Sequence, residues 1–436
     1  MKLSNTINAI QGGEYDKAFQ KLYGNDCDFT LIKERYVKAT SEFISLYGNK
    51  LGENAELHLF SVPGRSEISG NHTDHNHGKV IAASISLDII AVAAKVTDGE
   101  IRIKSEGFPE DTITLTDFQT VVEQEKYKAS AIIRGMCDGL TKNGYAVGGY
   151  YAYTTSNVLK GSGLSSSAAF EVMVGTILNH LYNNGKIGAV EIAKISQYAE
   201  NVHFGKPCGL MDQTACAVGG FVAIDFKDPK NPIVEKLSFD LSSHGYSLCI
   251  VNTGGNHADL NEDYASIPFE MKSVAKFFGK DVLREVEKSE ILANCAAVRE
   301  KCGDRALLRA IHFCNENDRV TMQTQALKEN NIDAFLTGVR ESGLSSVSKL
   351  QNIFTVKNTS EQGISLALAL AGEVLDQKEK TAYRVHGGGF AGTIQAFVPE
   401  QYVAEYCDTM EKAFGKGMSY VLRVRLYGAE ELSRLL

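Results

Sequence analysis

The chain has 436 residues, of which 44% are hydrophobic and 22% charged, and its formal net charge is −8. This length exceeds what one hydrophobic core usually serves, so two domains are expected, and the composition is typical of a globular protein. The acidic balance argues against nucleic acid as the main partner, and no segment reaches the roughly 20 apolar residues of a membrane span. Nine scattered cysteines and an N-terminus without a signal-peptide pattern indicate a reduced, cytoplasmic protein.

The first half of the chain predicts helices, then strands, then helices again. Residues up to about 54 predict helices, because Tyr36, Phe43 and Tyr47 recur at helical spacing. Pro63-Gly64 predicts a turn after the first strand, and Asp98-Gly99 predicts another between two later ones. The predicted strands are 56–62, 85–95, 100–104 and 148–155, and the predicted helices are 129–140, 166–182 and 189–204.

The second half predicts a further mixed α and β unit. A buried strand is expected over 246–252, followed by several helices over 268–375. A strand–turn–strand pattern surrounds 386–398, and a helix and a last strand over 419–426 follow. The turn-rich segment 228–232 marks the domain change, so the predicted domains are residues 1–235 and 236–436.

A glycine- and serine-rich loop leads from the strand at 148–155 into the next helix. It reads Lys160-Gly161-Ser162-Gly163-Leu164-Ser165-Ser166-Ser167-Ala168-Ala169. Glycines let backbone N–H groups turn toward a ligand, and the helix N-terminus adds the positive end of its dipole, so the loop predicts a phosphate site. It is not a Walker A loop, since the Gly-Lys-Ser/Thr ending is missing. The alternative is a flexible turn in which Ser165 only caps the helix.

A second polar segment, residues 63–78, concentrates hydrogen-bonding side chains in a short stretch bracketed by glycines. Asp, Asn and His together suit a polyhydroxylated ligand, because each sugar hydroxyl needs both donors and acceptors. Two alternatives are a solvated polar loop and a metal site built from His72, His75 and His77.

A third segment reads Pro207-Cys208-Gly209-Leu210-Met211-Asp212-Gln213. Pro207 and Gly209 predict a rigid turn that presents Asp212 at the start of a new element. A carboxylate in that place can accept a hydroxyl proton or orient an attacking hydroxyl. The alternative is that Asp212 merely caps a helix.

Taken in this order, the three segments resemble the galactokinases of the GHMP kinase superfamily. The serine loop matches the phosphate motif Pro-x-x-x-Gly-Leu-x-Ser-Ser-Ala except for its proline, and residues 207–213 nearly reproduce the segment of the catalytic aspartate. Arg65 and His72-Thr73-Asp74 match the sugar-binding signature, and residues 384–392 resemble the third, glycine-rich motif.

The resemblance implies an α+β fold of two domains, with the active site between them. The N-terminal domain would resemble ribosomal protein S5 domain 2 and would bind the sugar and ATP, and the C-terminal domain would be ferredoxin-like. It also implies an ATP- and Mg²⁺-dependent kinase that phosphorylates a small sugar on its anomeric hydroxyl, without nucleic acid or membrane as a partner. The oligomeric state is not predicted.

Site residues carry over position by position. The implied catalytic residues are Asp212 and Arg65, and the implied Mg²⁺ ligands are Ser167 and Glu200. The implied sugar-binding residues are Arg65, Asn71, His72, Asp74, Gly209, Asp212 and Tyr264. The implied phosphate-binding residues are Gly161, Ser162, Gly163, Leu164, Ser165, Ser166, Ser167 and Ala168.

Two positions depart from the family pattern. Asn71 stands where the family has a glutamate that contacts the sugar's 6-hydroxyl, and Glu67 stands where the family usually has asparagine. Galactose remains the expected substrate, since the Asn71 carbonyl can accept a hydrogen bond. A kinase for galacturonate, N-acetylgalactosamine or arabinose is the first alternative, because losing a negative charge relieves repulsion against a carboxylate at C6. A catalytically inactive sugar sensor is the second.

Overall fold

Runs of helices and runs of strands follow one another along the chain, and the strands divide between two sheets. The computed structural model describes residues 2–24, 27–159, 163–255 and 260–436. The first half contains α1 (Thr6–Gly12), α2 (Asp16–Tyr23), α3 (Phe29–Leu51), β1 (His58–Ser69), β2 (Lys79–Lys95), β3 (Glu100–Ser105), β4 (Glu110–Thr114), α4 (Ala129–Lys142), β5 (Tyr150–Ser156), α5 (Ser166–Asn183), α6 (Ala189–Tyr198), α7 (Met211–Val218), β6 (Phe221–Asp225) and β7 (Ile233–Leu237). The second half contains β8 (Tyr246–Asn252), α8 (Asn261–Phe277), α9 (Lys288–Ala293), α10 (Cys295–Cys302), α11 (Asp304–Lys328), α12 (Ile332–Ser345), α13 (Gly363–Leu375), β9 (Ala382–His386), β10 (Thr393–Pro399), α14 (Glu400–Phe414), β11 (Ser419–Leu422) and β12 (Glu430–Glu431).

The first sheet is organised by the long strand β2. Its strand order is β12-β1-β2-β5-β3-β4, and β6 also pairs with β2 and continues to β7. Successive β2 side chains point to opposite faces, and both faces are covered. Ile89, Ala91 and Ala93 pack among the helices α4–α7, whereas Ile90 and Val92 pack against α1–α3. The apolar run of β2 is therefore buried on both sides.

The second sheet is smaller and has the order β11-β8-β10-β9, with antiparallel pairing throughout. One face packs α13 and α14 against Cys249, Val251 and Ile394. The opposite face contributes Leu248 and Ile250 to the core of the first sheet. The two sheets thus share a continuous apolar interior. Within the described residues, none of the helices is long and apolar enough to cross a membrane.

Most predicted elements are confirmed, with shifts of a few residues at their ends. The predicted turn at Pro63-Gly64 is wrong, because β1 runs through both residues with a shift of register beside β2 between Pro63 and Arg65. A Cβ on Gly64 would lie 2.8 Å from the Leu164 carbonyl oxygen, and the Arg65 amide donates to that same oxygen at 3.1 Å. The glycine therefore lets the serine loop approach the strand instead of reversing the chain. The two strands flanking Asp98-Gly99 form as predicted, but β5 pairs between them.

A buried carboxylate ties the N-terminal helices and the end of the chain to the first sheet. Asp88 of β2 is fully buried and accepts hydrogen bonds from Arg35 of α3 (2.5 Å) and Tyr23 of α2 (2.7 Å). Arg425, whose side chain is also fully buried, lies 3.3 Å away. Burial by itself would raise the pKa of the Asp88 carboxyl, but the two guanidinium groups outweigh burial and lower that pKa.

Asp88→Asn should lower the free energy of unfolding by about 3–5 kcal/mol, because the buried Arg425 and the partly buried Arg35 lose their negative partner. Urea unfolding followed by circular dichroism measures the change. Asp408→Asn is the control, since Asp408 pairs with Lys412 on the exposed surface of α14 and its loss should cost no more than about 1 kcal/mol. Equal losses in the two variants would contradict the role given to Asp88.

Candidate active site

A bidentate ion pair lies at the centre of the site. Arg65 of β1 donates from Nε to Asp212 Oδ1 at 2.8 Å and from Nη2 to Oδ2 at 2.7 Å. The third guanidinium nitrogen, Nη1, donates to the Gly163 carbonyl. Burial alone would raise the pKa of the Asp212 carboxyl, but Arg65 outweighs it and holds that pKa below its ordinary value. Asp212 is therefore ionised at neutral pH, with its side chain one-third exposed (33%) at the start of α7.

The serine loop closes onto this ion pair. Ser165 adopts a left-handed backbone conformation (φ 58°), and its hydroxyl donates to Asp212 Oδ2 instead of capping the helix. The alternative of Ser165 as a simple cap is therefore wrong. Ser166 begins α5, Ser167 is exposed in its first turn, and Leu164 and Ala168 are buried. Gly161 and Ser162, the first two residues of the predicted phosphate site, lie outside the described residues.

Five of the predicted site residues line one cavity of about 180 Å³, namely Asp74, Ser167, Glu200, Gly209 and Asp212. They come from four separate parts of the sequence. A Cβ on Gly209 would lie 2.9 Å from Asp74 Oδ2. Because glycine has no side chain, the Asp74 carboxylate can lie close to the backbone at this position. The cavity thus has acidic and hydroxyl groups facing a common space.

Three further predicted sugar residues contact the glycine-rich turn after β9. Asn71 Nδ2 donates to the Gly387 carbonyl at 2.7 Å, His72 Nε2 lies 2.9 Å from the Gly388 carbonyl, and the Tyr264 hydroxyl donates to the Gly389 carbonyl at 3.1 Å. Burial lowers the pKa of His72 to about 4, so its ring is neutral. These contacts connect the first sheet and α8 to the second sheet.

Asn71 is fully buried and its side-chain amide is satisfied inside the protein. Besides Gly387, Nδ2 donates to Glu67 Oε1 at 2.8 Å, and Oδ1 accepts from Asn352 (2.8 Å) and Ser346 (3.4 Å). Its four hydrogen-bonding positions are therefore occupied by protein groups. This arrangement fits a role for Asn71 in positioning Glu67 more closely than it fits a role in direct contact with a ligand.

The histidines of the segment 63–78 do not form a metal site. His72 and His75 have ring centroids 5.8 Å apart, and no group of metal-binding atoms among residues 2–24, 27–159, 163–255 and 260–436 includes His72, His75 or His77. The metal interpretation of that segment is therefore not supported.

Three residues beside the cavity were missed by the sequence interpretation. Gln213 Nε2 donates to Glu171 Oε2 at 3.0 Å and to Glu200 Oε2 at 2.9 Å, so one amide bridges two carboxylates. Lys206 Nζ lies 3.4 Å from Glu200 Oε1. Glu171 follows Ser167 by one helical turn on α5, and this spacing was the available signal. The contacts of Gln213 with both carboxylates join separate parts of the chain, so no local sequence pattern predicts them.

The charge on Glu171 is suppressed by its surroundings. Burial first, and the neighbouring Glu200 carboxylate second, raise the pKa of Glu171 to about 8. Ser167 and Glu200, by contrast, offer a hydroxyl and a carboxylate oxygen to the cavity. Hard oxygen ligands of this kind fit Mg²⁺, which usually takes few protein ligands and keeps several waters.

Comparisons with known proteins match the chain to sugar kinases. The family model for the GHMP kinases N terminal domain matches residues 130–220, and the model for the galactokinase galactose-binding signature matches residues 41–95. Galactokinase from Clostridium tetani is 28% identical over 384 residues, which cover 87% of this chain and 92% of that protein. Galactokinase from Streptomyces coelicolor is 29% identical over 361 residues, covering 82% and 88%.

The fold is also found among solved structures. The crystal structure of Lactococcus lactis galactokinase complexed with galactose superposes with a TM-score of 0.72 at 23% sequence identity, and the match covers 90% of this chain and 99% of that chain. This match confirms the GHMP kinase fold expected from the sequence. The division at residues 235 and 236 stays a prediction.

Glu171→Gln should remove one source of pH dependence from stability. The pKa of Glu171 is raised from 4.5 to about 8 by folding, so folding takes up a proton between these values, and the free energy of unfolding falls as pH rises through that window. The glutamine variant cannot ionise, so it should gain stability relative to wild type between about pH 5 and about pH 8. Urea unfolding at both pH values measures this difference.

Glu42→Gln, an equivalent change at an exposed position of α3, serves as the control and should follow wild type at both pH values. If Glu171→Gln also differs from wild type by the same amount at both pH values, Glu171 does not titrate in this range and its assignment as a neutral acid is wrong.

Proposed function

We propose that this chain, which belongs to the GHMP kinase superfamily, is an ATP-dependent galactokinase that transfers the terminal phosphoryl group of ATP to the anomeric hydroxyl of galactose. The carrying observation is the ionised Asp212, held by Arg65 in the same cavity as Ser167 and Glu200. Phosphoryl transfer needs alignment of the reacting groups and neutralisation of charge more than it needs covalent catalysis. In this cavity Asp212 can align the attacking hydroxyl, and Ser167 and Glu200 can hold a neutralising cation. The two curated relatives, both galactokinases, support the reaction class.

Asp212 accepts a hydrogen bond from the attacking hydroxyl and fixes its direction. Arg65 keeps this carboxylate ionised and occupies both of its oxygens, so Asp212 is a weak base until the hydroxyl has begun to bond to phosphorus. The hydroxyl proton then passes to Asp212 late in the transfer. Arg65 acts through Asp212, because its three donor nitrogens already have protein partners.

The start of α5 receives the phosphates of ATP. Its first backbone N–H groups have no partner within the helix, and the helix dipole favours negative charge there. Ser167 and Glu200 would hold Mg²⁺, which would supply positive charge to neutralise the phosphate oxygens. Lys206, whose ammonium is largely exposed beside Glu200, adds a mobile positive charge at the cavity mouth.

The sugar lies between Asp74, the Gly209 backbone and His72. The His72 Nδ1 atom is buried and has no hydrogen-bond partner within the described part of the chain, which supports a contact from a ligand hydroxyl. Asn71 contributes by holding Glu67, whose Oε1 also lies 3.3 Å from Arg384. The carboxylate stands at position 67, whereas the family has its glutamate at position 71. A related sugar therefore remains the second candidate. We place this reaction in the cytoplasm.

The proposal is tested by ATP consumption with purified protein, Mg²⁺ and a panel of galactose, galacturonate, N-acetylgalactosamine, arabinose and glucose. We expect clear preference for galactose. Preference for another member of the panel would keep the mechanism and change the substrate. ATP binding without turnover on any sugar would overturn the kinase assignment and favour an inactive sugar sensor.

Asp212→Asn should lower turnover by about 10²–10⁴-fold, because the hydroxyl loses the group that orients it and takes its proton. Binding of galactose and of a non-hydrolysable ATP analogue, measured by calorimetry, should change far less. Asp333→Asn is the matched control, since Asp333 also lies in the first turn of a helix, α12, but faces Lys380 on the surface. Near-normal turnover in Asp212→Asn would remove Asp212 from the mechanism.

A further inference from the structure

Two histidines and a glutamate converge on the side of the first sheet where β1 begins. His58 is the first residue of β1, His180 lies near the end of α5, and Glu431 lies in β12, paired with Phe60. One ring nitrogen of each histidine and one carboxylate oxygen of Glu431 all lie within 4.8 Å of one another. They come from three elements that are distant in sequence, and the sugar kinase mechanism uses none of them.

The separations within this group are too long for hydrogen bonds and suit a shared cation. His58 Nδ1 lies 3.6 Å from Glu431 Oε1, and His180 Nε2 lies 3.9 Å from Glu431 Oε2. Nitrogen and oxygen atoms that hydrogen-bond usually lie about 2.7–3.2 Å apart. Ligands bound to zinc at about 2.0–2.2 Å in a tetrahedron lie about 3.3–3.6 Å from one another. The 3.6 Å separation falls in the second range, whereas the 3.9 Å separation and the 4.8 Å limit on the group exceed it, so the ligand atoms would draw together on an ion.

The surroundings hold the ligand atoms in place and leave room for water. Glu431 is almost fully buried, and Ser433 donates its backbone amide to Glu431 Oε2 at 3.1 Å, which fixes the carboxylate. The imidazole rings pack with centroids 4.8 Å apart, and their side chains are 17% and 20% exposed. His180 Nδ1 is buried and has no hydrogen-bond partner among the described residues.

We propose that His58, His180 and Glu431 form a binding site for a divalent transition-metal ion of the zinc class, with water completing the coordination. Two imidazole nitrogens and one carboxylate oxygen are ligands that zinc accepts, whereas Mg²⁺ prefers oxygen alone. A metal bound here joins β1, α5 and β12, so it stabilises the folded chain by binding the native state and not the unfolded one. This site is separate from the kinase cavity, and its existence does not depend on the reaction.

The test uses the full chain after removal of metals with a chelator. Zinc is added in excess, unbound ion is removed by gel filtration, and the zinc retained per chain is measured by atomic emission. Wild type should retain a single zinc ion and unfold at a higher temperature with zinc than without it. His180→Asn and His58→Asn should lose both the bound zinc and the zinc-dependent shift in unfolding temperature.

Two controls separate this site from other metal-binding groups of the chain. His75→Asn, in the histidine-rich segment, and Glu200→Gln, in the kinase cavity, should both retain the zinc ion. The proposal is overturned if wild type retains no zinc, if His58→Asn and His180→Asn retain as much as wild type, or if the ion is lost from a control instead. If His180→Asn does not fold, His58→Asn decides the question alone, because His58 lies at the end of its strand.

Discussion

The ion pair between Arg65 and Asp212 is the constraint on which the candidate active site depends. It joins the sheet, through Arg65 in β1, to the first turn of α7, and a third guanidinium nitrogen holds the serine loop at Gly163. A fork-to-fork pair of this kind fixes orientation as well as distance. Because Arg65 is almost fully buried, loss of Asp212 leaves a positive charge with little water to compensate. The same contact therefore supports the local fold and keeps the carboxylate ionised.

Glu200 lies in an irregular stretch of helix. The π-helical turn over Ala199–Phe204 continues α6, and π-helical turns of this kind shift the side chains that follow them. His203, in the same turn, is buried 3.0 Å from Asp138 of α4 and anchors one side of it. Glu200, in the same turn, contacts Gln213 and Lys206. This π-helical turn therefore carries both a residue of the cavity, Glu200, and its buried anchor, His203.

Local features of the sequence predicted much of the fold, and contacts between distant segments explain what they could not predict. The apolar periodicity of residues 166–182 predicted α5 almost to its ends, and Pro207 and Gly209 predicted that Asp212 stands at the start of a new element. Pro63-Gly64 was misread as a turn because the approach of Leu164, a long-range contact, decides its conformation. The internal partners of Asn71 and the Gln213 bridge are likewise contacts across the chain. The family resemblance named five residues that the structure brings to one cavity, but it did not predict the hydrogen-bond partners of their side chains.

The pairing of β12 with β1 has a consequence for how the protein is made. Residues 430 and 431 pair with Phe60 and Ser61, and Arg425 reaches the buried Asp88, so the first sheet is completed by residues that the ribosome adds after the whole second sheet. Until then the outer edge of β1 is open, and an open edge can pair with another chain. Contacts so distant in sequence also slow folding. During synthesis this part of β1 therefore stays available for incorrect pairing, which a version with these strands adjacent in sequence would avoid.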